Sequence, residues 1–365
     1  PLSGGYDSRF IVSMLKLGGI DKAICLSYGR PGNFESRISK KVAEKLGFEW
    51  HYIEYSTNKW KNVFQTERFD EYVRFAHVFT SVSCFQEYIS TLYFDSINKP
   101  NEKSKYVFVP GHAADFVAGS HLNPTVLATK NIEDVENSIL LKHYNFRMSP
   151  ANSEIASEVN RRVREDYKIT TDLFKLFEIW NWRERQSKFI ANANRVYDYF
   201  GYLWSLPFWF KEFVDFWGKI PLEFKYKKKL YDEFLENRIF NQLGVDIDRE
   251  ERIANRERER NKSDRVKSTI KGRIIKFVKN NKSIVKMYRN VRARLGSSAD
   301  ACAFHTSIPF LLHVAKKRYP DGYRSLKELL DREFASGRGS DPNSYIAEYI
   351  LSSILGNCDN GIQWG

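Results

Sequence analysis

The chain has 365 residues, of which 42% are apolar, 28% charged and 15% aromatic, and its formal net charge is +13. That length gives room for about two domains with a sizeable core, and the balance excludes disorder over a long stretch. No uninterrupted apolar run approaches the roughly 18–20 residues needed to span a bilayer, which excludes a membrane-spanning helix, and no signal peptide is visible.

The first part alternates helix and strand. Residues 8–17 carry Ile11, Met14 and Leu15 at helical spacing and stop at Gly18-Gly19. Residues 22–28 are a short apolar run between Asp21 and Gly29, a buried strand. Residues 35–46 place Ile38, Val42 and Leu46 four apart and end at Gly47, a helix with a glycine stop. Residues 50–55 read as a second strand, 83–97 as a helix and 105–110 as a third strand. Such alternation predicts an α/β fold, a parallel sheet flanked by helices.

After about residue 125 the strand signals fade. Residues 131–141, 153–166, 171–200, 208–219 and 226–243 all read as helices, with Pro207 and Pro221 between them, so a largely α-helical C-terminal half is expected. Residues 248–264 are charged with little apolar periodicity and read as a loop. Residues 266–295 read as one long basic amphipathic helix, or two helices. Between residues 250 and 294 there are 16 Lys and Arg against 5 Asp and Glu, so one element carries most of the positive charge. The four cysteines, Cys25, Cys84, Cys302 and Cys358, lie far apart without metal-ligand spacing. A reducing, cytoplasmic compartment is the expectation.

Ser3-Gly4-Gly5-Tyr6-Asp7-Ser8 carries the chemistry. It sits just before a helix, whose free N–H groups and positive dipole end suit an anion. Glycine lets the backbone approach closely, and Ser3 and Ser8 add hydroxyl donors. No Gly-Lys-Ser/Thr follows, so this is not a Walker A loop. Asp7 sets a carboxylate beside the phosphates, which is useful when a cation such as Mg²⁺ bridges them. Taken alone, a Ser-Gly-Gly turn is more often just a helix start. The full hexapeptide resembles the SGGxDS pyrophosphate loop of the N-type ATP pyrophosphatases, the PP-loop superfamily with its adenine nucleotide alpha hydrolase-like fold. There the strand before the loop belongs to the sheet; here Pro1 and Leu2 alone stand in for it, so a truncated first strand is expected.

Two further stretches narrow the resemblance to the asparagine synthetase family, in its C-terminal synthetase domain. Leu26-Ser27-Tyr28-Gly29, then Glu35-Ser36 and a helix through Val42-Ala43-Glu44-Lys45-Leu46-Gly47 before Trp50-His51, is similar to that family's strand–helix pattern. Residues 109–119 resemble its second loop, SGEGSDExFGGY, with Gly111, Asp115 and Gly119 matching. Pro207-Phe208, Ile220-Pro221, Lys225 and Lys229-Leu230 loosely resemble a later family stretch.

The resemblance implies ATP held by Leu2, Ser3, Gly4, Gly5, Asp7, Ser8, Tyr28, Pro110 and Gly111, with Mg²⁺ between Asp7 and Asp115. It implies an amide-forming ligase of the asparagine synthase, glutamine-hydrolysing, type. A carboxylate attacks the α-phosphorus, pyrophosphate leaves, and ammonia or an amine attacks the acyl-adenylate. His112 and Lys262 are the candidate catalytic residues, with Lys267 and Lys271 competing for the second role. Three positions depart from the family: His112 stands for a Glu, Phe116 for the Glu after the metal-binding Asp, and Phe210 for a late Asp. A lone His is more often structural, and Lys262 has a solvated surface Lys as its plain alternative.

The implied organisation is a nucleotide-binding core over 1–125, a helical part of the synthetase domain over 126–265, and a basic helix with a helical extension over 266–365. The implied partner is a small-molecule carboxylate; since none of the four cysteines fits the family's N-terminal nucleophile, either an upstream glutaminase domain is absent from this chain or another amine supplies the nitrogen. Two rival functions are a tRNA-modifying PP-loop enzyme, suggested by the basic segment, and a binding protein with a decayed site, suggested by the three departures. No zinc spacing, cysteine pair or RNA-binding module favours the first, so nucleic acid is not expected; retention of Asp7 and Asp115 speaks against the second.

Overall fold

The computed structural model describes residues 1–77, 81–122, 124–144, 153–249, 300–333 and 342–358. The basic segment expected over 266–295 and the candidates Lys262, Lys267 and Lys271 lie outside the described residues.

Helix α1, Tyr6–Leu17, starts inside the Ser-Gly-Gly motif and buries Ile11 and Val12. Strand β1, Ile24–Gly29, pairs in parallel with β2, Glu49–Glu54, Ile24 facing Glu49 and Gly29 facing Glu54. Helix α2, Phe34–Leu46, makes the crossover between them. Its start is fixed by Asn33, whose side chain accepts from Ser36 N, and its end by Gly47 at φ +75°. These elements follow the sequence expectation closely.

The next stretch differs from it. Two helices absent from the sequence reading, α3 (Thr57–Phe64) and α4 (Glu67–Ala76), follow β2, capped by Ser56 and Thr66. Helix α5 covers Tyr88–Ile97 alone, not 83–97. Residues 84–87 are held out of the helix by tyrosines: Tyr72 donates to Cys84 O at 2.6 Å and Tyr55 to Gln86 O at 2.9 Å. The third strand shrinks to β3, Val107–Phe108, paired in parallel with β4, Leu203–Trp204, in a region where no strand was expected. The helix expected over 171–200 is α-helical over Leu173–Asn181, π-helical over Trp182–Ile190 and α-helical again over Arg195–Phe200.

The described chain is therefore mostly helical, with two short parallel strand pairs, an α/β arrangement. The pairs are not hydrogen-bonded to each other. Between them lies a cavity of about 920 Å³, lined by Leu2, Ile11, Ile24, Leu26, Phe94 and Phe108 among others. Leu2 reaches its edge and donates to Leu26 O at 2.8 Å, beside β1. Helices α1 and α2 share one buried cluster with Phe208, Trp217, Tyr231 and Phe240. A second cluster joins Tyr55, Trp60, Phe69 and Tyr72 to Phe304, Leu311 and Tyr349, so the residues after 300 pack into the core of the first part. Among the described residues no helix is long and apolar enough to cross a membrane.

Candidate functional site

The Ser-Gly-Gly loop is organised from within. Gly5 N donates to Ser3 Oγ at 3.1 Å, Ser3 N donates to Ser8 Oγ at 3.0 Å, and the two hydroxyls lie 3.1 Å apart. No side chain caps α1 at Gly5, so the first N–H groups of the helix are left to an anion. Beneath the loop the buried guanidinium of Arg9 donates to Gly4 O at 2.7 Å and to Asp248 Oδ1 at 2.8 Å. Gly4 packs against α2: a Cβ there would stand 2.9 Å from the Cα of Glu35. Gly4 thus shapes the loop from below and, unlike Ser3, Gly5, Asp7 and Ser8, does not line the cavity above it.

The second loop lies directly on the first. A Cβ at Gly111 would meet Ser8 N at 2.9 Å and the backbone carbon of Asp7 at 3.1 Å, so only glycine allows this stacking. Two residues on, Ala113 takes φ +76° and starts α6, Ala114–Val117. That turn aims Asp115 N at Asp7 Oδ2, 3.2 Å away. Two residues 108 positions apart in sequence are brought together in this way.

The two carboxylates have unequal surroundings. Asp115 is exposed and Asp7 is half-buried. Asp7 Oδ1 accepts from the Tyr231 phenol at 2.9 Å. Burial first, and then the Asp115 carboxylate, push the Asp7 carboxyl up to about 6; Tyr231 and Lys228 pull the other way. Among the described residues neither carboxylate has a Lys, Arg or His within ion-pair distance. A pair of repelling carboxylates without a counter-ion suits a bridging cation. Among the described residues no group of three His, Cys, Asp or Glu gathers to hold a metal alone, but Mg²⁺ needs only one or two carboxylates when phosphate oxygens and water complete its shell. Asp7 and Asp115 fit that donor set.

The Asp7 shift sets a pH dependence. Its carboxyl titrates near 3.8 ordinarily and near 6 in the fold. A raised folded value stabilises the fold while the group is protonated, and that contribution is lost as pH rises through about 6. In metal-free protein, Asp7→Asn is therefore expected to raise stability at pH 8 by about 1–2 kcal/mol. The gain should shrink below pH 6 and vanish near pH 4. Urea unfolding at both ends of that range checks this; a variant no more stable than wild type at pH 8 contradicts it.

The two loops form one wall of a cavity of about 560 Å³, within the roughly 300–1,000 Å³ usual for small-molecule sites. Of the remaining sequence candidates, Leu2, Tyr28, Pro110 and His112 all line it. His112 Nδ1 is buried without a partner. Phe116 does not line the cavity. It is buried against His121 and stacks on Trp182 at 5.8 Å, a core role for the position where the resembled loop pattern has Glu. Phe210 is 57% exposed and also lies off the cavity.

Several lining residues were missed by sequence reasoning. Lys228 reaches the cavity from a turn in which Lys227 and Lys228 both take φ +57°, with its ammonium 5.5 Å from the Tyr231 ring centre. The run Lys227-Lys228-Lys229 was visible, but nothing in it marks which lysine turns inward. Asp300, Ala301, Cys302, Phe304 and His305 close the cavity from the far end of the chain. Trp60 Nε1 donates to Cys302 O at 2.9 Å and Arg30 Nε to Asp300 O at 3.1 Å, which ties that segment to the strand end. Burial pushes the Cys302 thiol up to about 11, so it is not a thiolate nucleophile at neutral pH.

Backbone strain marks the same place. Among the described residues four that are not glycine have positive φ: Ala113, Lys227, Lys228 and Ala303. Lys228 lines the cavity, and the other three each adjoin a lining residue. Each costs about 1–2 kcal/mol, and such strain tends to collect at functional sites. No protein-family model matches this sequence, and no curated protein matches it.

Proposed function

We propose that the chain binds Mg²⁺ and ATP in this cavity and cleaves the nucleotide between its α- and β-phosphates. By the resemblance of its two loops to asparagine synthetases, it is read as an AMP-forming carbon–nitrogen ligase. The single observation that carries this reading is the stacking of Gly111 on the Asp7–Ser8 backbone, which sets Asp115 beside Asp7 at the mouth of an anion-ready helix start.

The roles follow from the atoms present. The Ser3 and Ser8 hydroxyls, set by the loop's own hydrogen bonds, and the uncapped N–H groups at the start of α1 would face the departing pyrophosphate. Asp7 and Asp115 would hold Mg²⁺, which neutralises phosphate charge and draws off electron density from the leaving group. Lys228 lines the cavity, its ammonium paired with Asp232 at 3.2 Å, and is the described lysine that would stabilise the developing charge in the role expected of Lys262. His112, with a free ring nitrogen on the same wall, can accept or deliver the proton that amide formation moves. The substrate carboxylate attacks the α-phosphorus, and ammonia or an amine then displaces AMP from the acyl-adenylate. Positioning and charge neutralisation supply most of the acceleration.

Incubation with ATP, Mg²⁺ and a panel of small carboxylates plus ammonium is expected to give AMP and pyrophosphate on ion-exchange chromatography. ADP and phosphate as the nucleotide products would overturn the reading, because the bond cut would then be the wrong one.

A further inference from the structure

Glu87 is a carboxylate that neither loop uses. It lines the same cavity as Tyr28 and Asp7 and is half-buried. It occupies the position before α5 without capping that helix. Its side chain turns instead to the phenol of Tyr197, which donates to Oε2. The backbone around it is fixed by two more tyrosines: Tyr72 holds Cys84 O, and Tyr55 both donates to Gln86 O and accepts from Ser90 N at 3.0 Å. Tyr55 also stacks on Tyr28, ring centres 4.9 Å apart, and so fixes the aromatic wall beside the carboxylate. Glu87 and Tyr28 line the same cavity, and burial first, then the Glu87 charge, hold the Tyr28 phenol well above its usual range.

What this carboxylate lacks among the described residues is a cation. Among the described residues no Lys, Arg or His lies within ion-pair distance of it. An ionised carboxylate has room for about four hydrogen bonds and takes one here from a side chain. Partly buried charges are ordinarily paired. A preset carboxylate next to an aromatic face, opening on a ligand cavity, is the chemistry that receives an organic ammonium: ion pair on one side, cation–π contact on the other.

We propose that Glu87 and the Tyr28 ring bind the ammonium group of a small-molecule ligand in the cavity. That this ammonium belongs to the amine partner of the amide-forming step rests on the function proposed above; the binding itself does not. A hydrated Mg²⁺ is the poorer fit, since one carboxylate and a ring offer it too few oxygens.

The test uses ethylammonium chloride as the probe, with sodium acetate and magnesium chloride at matched ionic strength beside it. Affinities are read by NMR line broadening of each probe. Ethylammonium is expected to bind the full chain and to bind Glu87→Gln at least about tenfold more weakly. Acetate is expected not to bind in competition with it. Equal ethylammonium affinity in wild type and Glu87→Gln, absence of ethylammonium binding, or displacement of ethylammonium by equimolar Mg²⁺ would each overturn the proposal. Should Glu87→Gln fail to fold, ring-labelled tyrosine in the wild type decides. The Tyr28 signal, assigned through Tyr28→Phe, is expected to shift with ethylammonium, and an unmoved signal rejects the site. ADP and phosphate as reaction products would sink the ligase reading and leave this outcome standing on its own.

Discussion

Asp7→Asn is expected to lower Mg²⁺-dependent AMP formation by about a thousandfold, and Asp115→Asn by a similar factor. Each variant removes one of the two carboxylates that the loops bring together, where Asp115 N donates to Asp7 Oδ2 at 3.2 Å, and with it a charge proposed for the cation. Neither residue sits in the core, so the fold should survive; Asp7→Asn should even be the more stable protein above pH 6, where its buried charge is a burden. Loss of turnover together with gained stability is a signature that simple misfolding cannot imitate. Steady-state assays with paired unfolding curves check it. Wild-type turnover in either variant would mean that the two loops are not the reacting site.

Arg9→Met is expected to cost about 3–5 kcal/mol of folding stability. Arg9 has no exposed surface, holds Gly4 O from below and pairs with Asp248, itself only 8% exposed. Methionine fills part of the volume but leaves a buried carboxylate without its guanidinium, which is far worse than removing both charges. Adding Asp248→Asn to Arg9→Met should therefore recover part of the loss. Chemical denaturation of the single and double variants measures this directly. A single variant within about 1 kcal/mol of wild type would show that the network beneath the loop is not what holds it.

Much of the site was legible because its parts are local. The hexapeptide, the helix behind it, the Asn33 and Gly47 limits of α2 and the second loop are each written in a few adjacent residues. What could not be read is what tertiary contact decides. A two-residue ladder such as β3–β4 has no period to detect. The π-helical stretch at 182–190 keeps the apolar pattern of a helix and changes only its hydrogen bonding. Helix α5 loses its first residues because Tyr55 and Tyr72 bind their carbonyls, a contact across 12 to 31 positions. The closure of the cavity by residues 300–305 spans more than 240 positions, from Trp60 to Cys302, and no local signal encodes it. Phe116 and Phe210 could be seen to depart from the pattern the sequence resembles, but only packing shows that one lies in the core and the other at the surface.

The central claim is that Asp7 and Asp115 share a cation on the phosphates of ATP. A crystal structure with α,β-methylene-ATP and Mn²⁺, phased at the manganese edge, tests it without knowledge of the acceptor. The expected result is one anomalous peak between the Asp7 and Asp115 carboxylates, with the β- and γ-phosphates on Ser3, Gly5 and Ser8. Manganese elsewhere, or a nucleotide whose phosphates avoid the Ser-Gly-Gly loop, would contradict it.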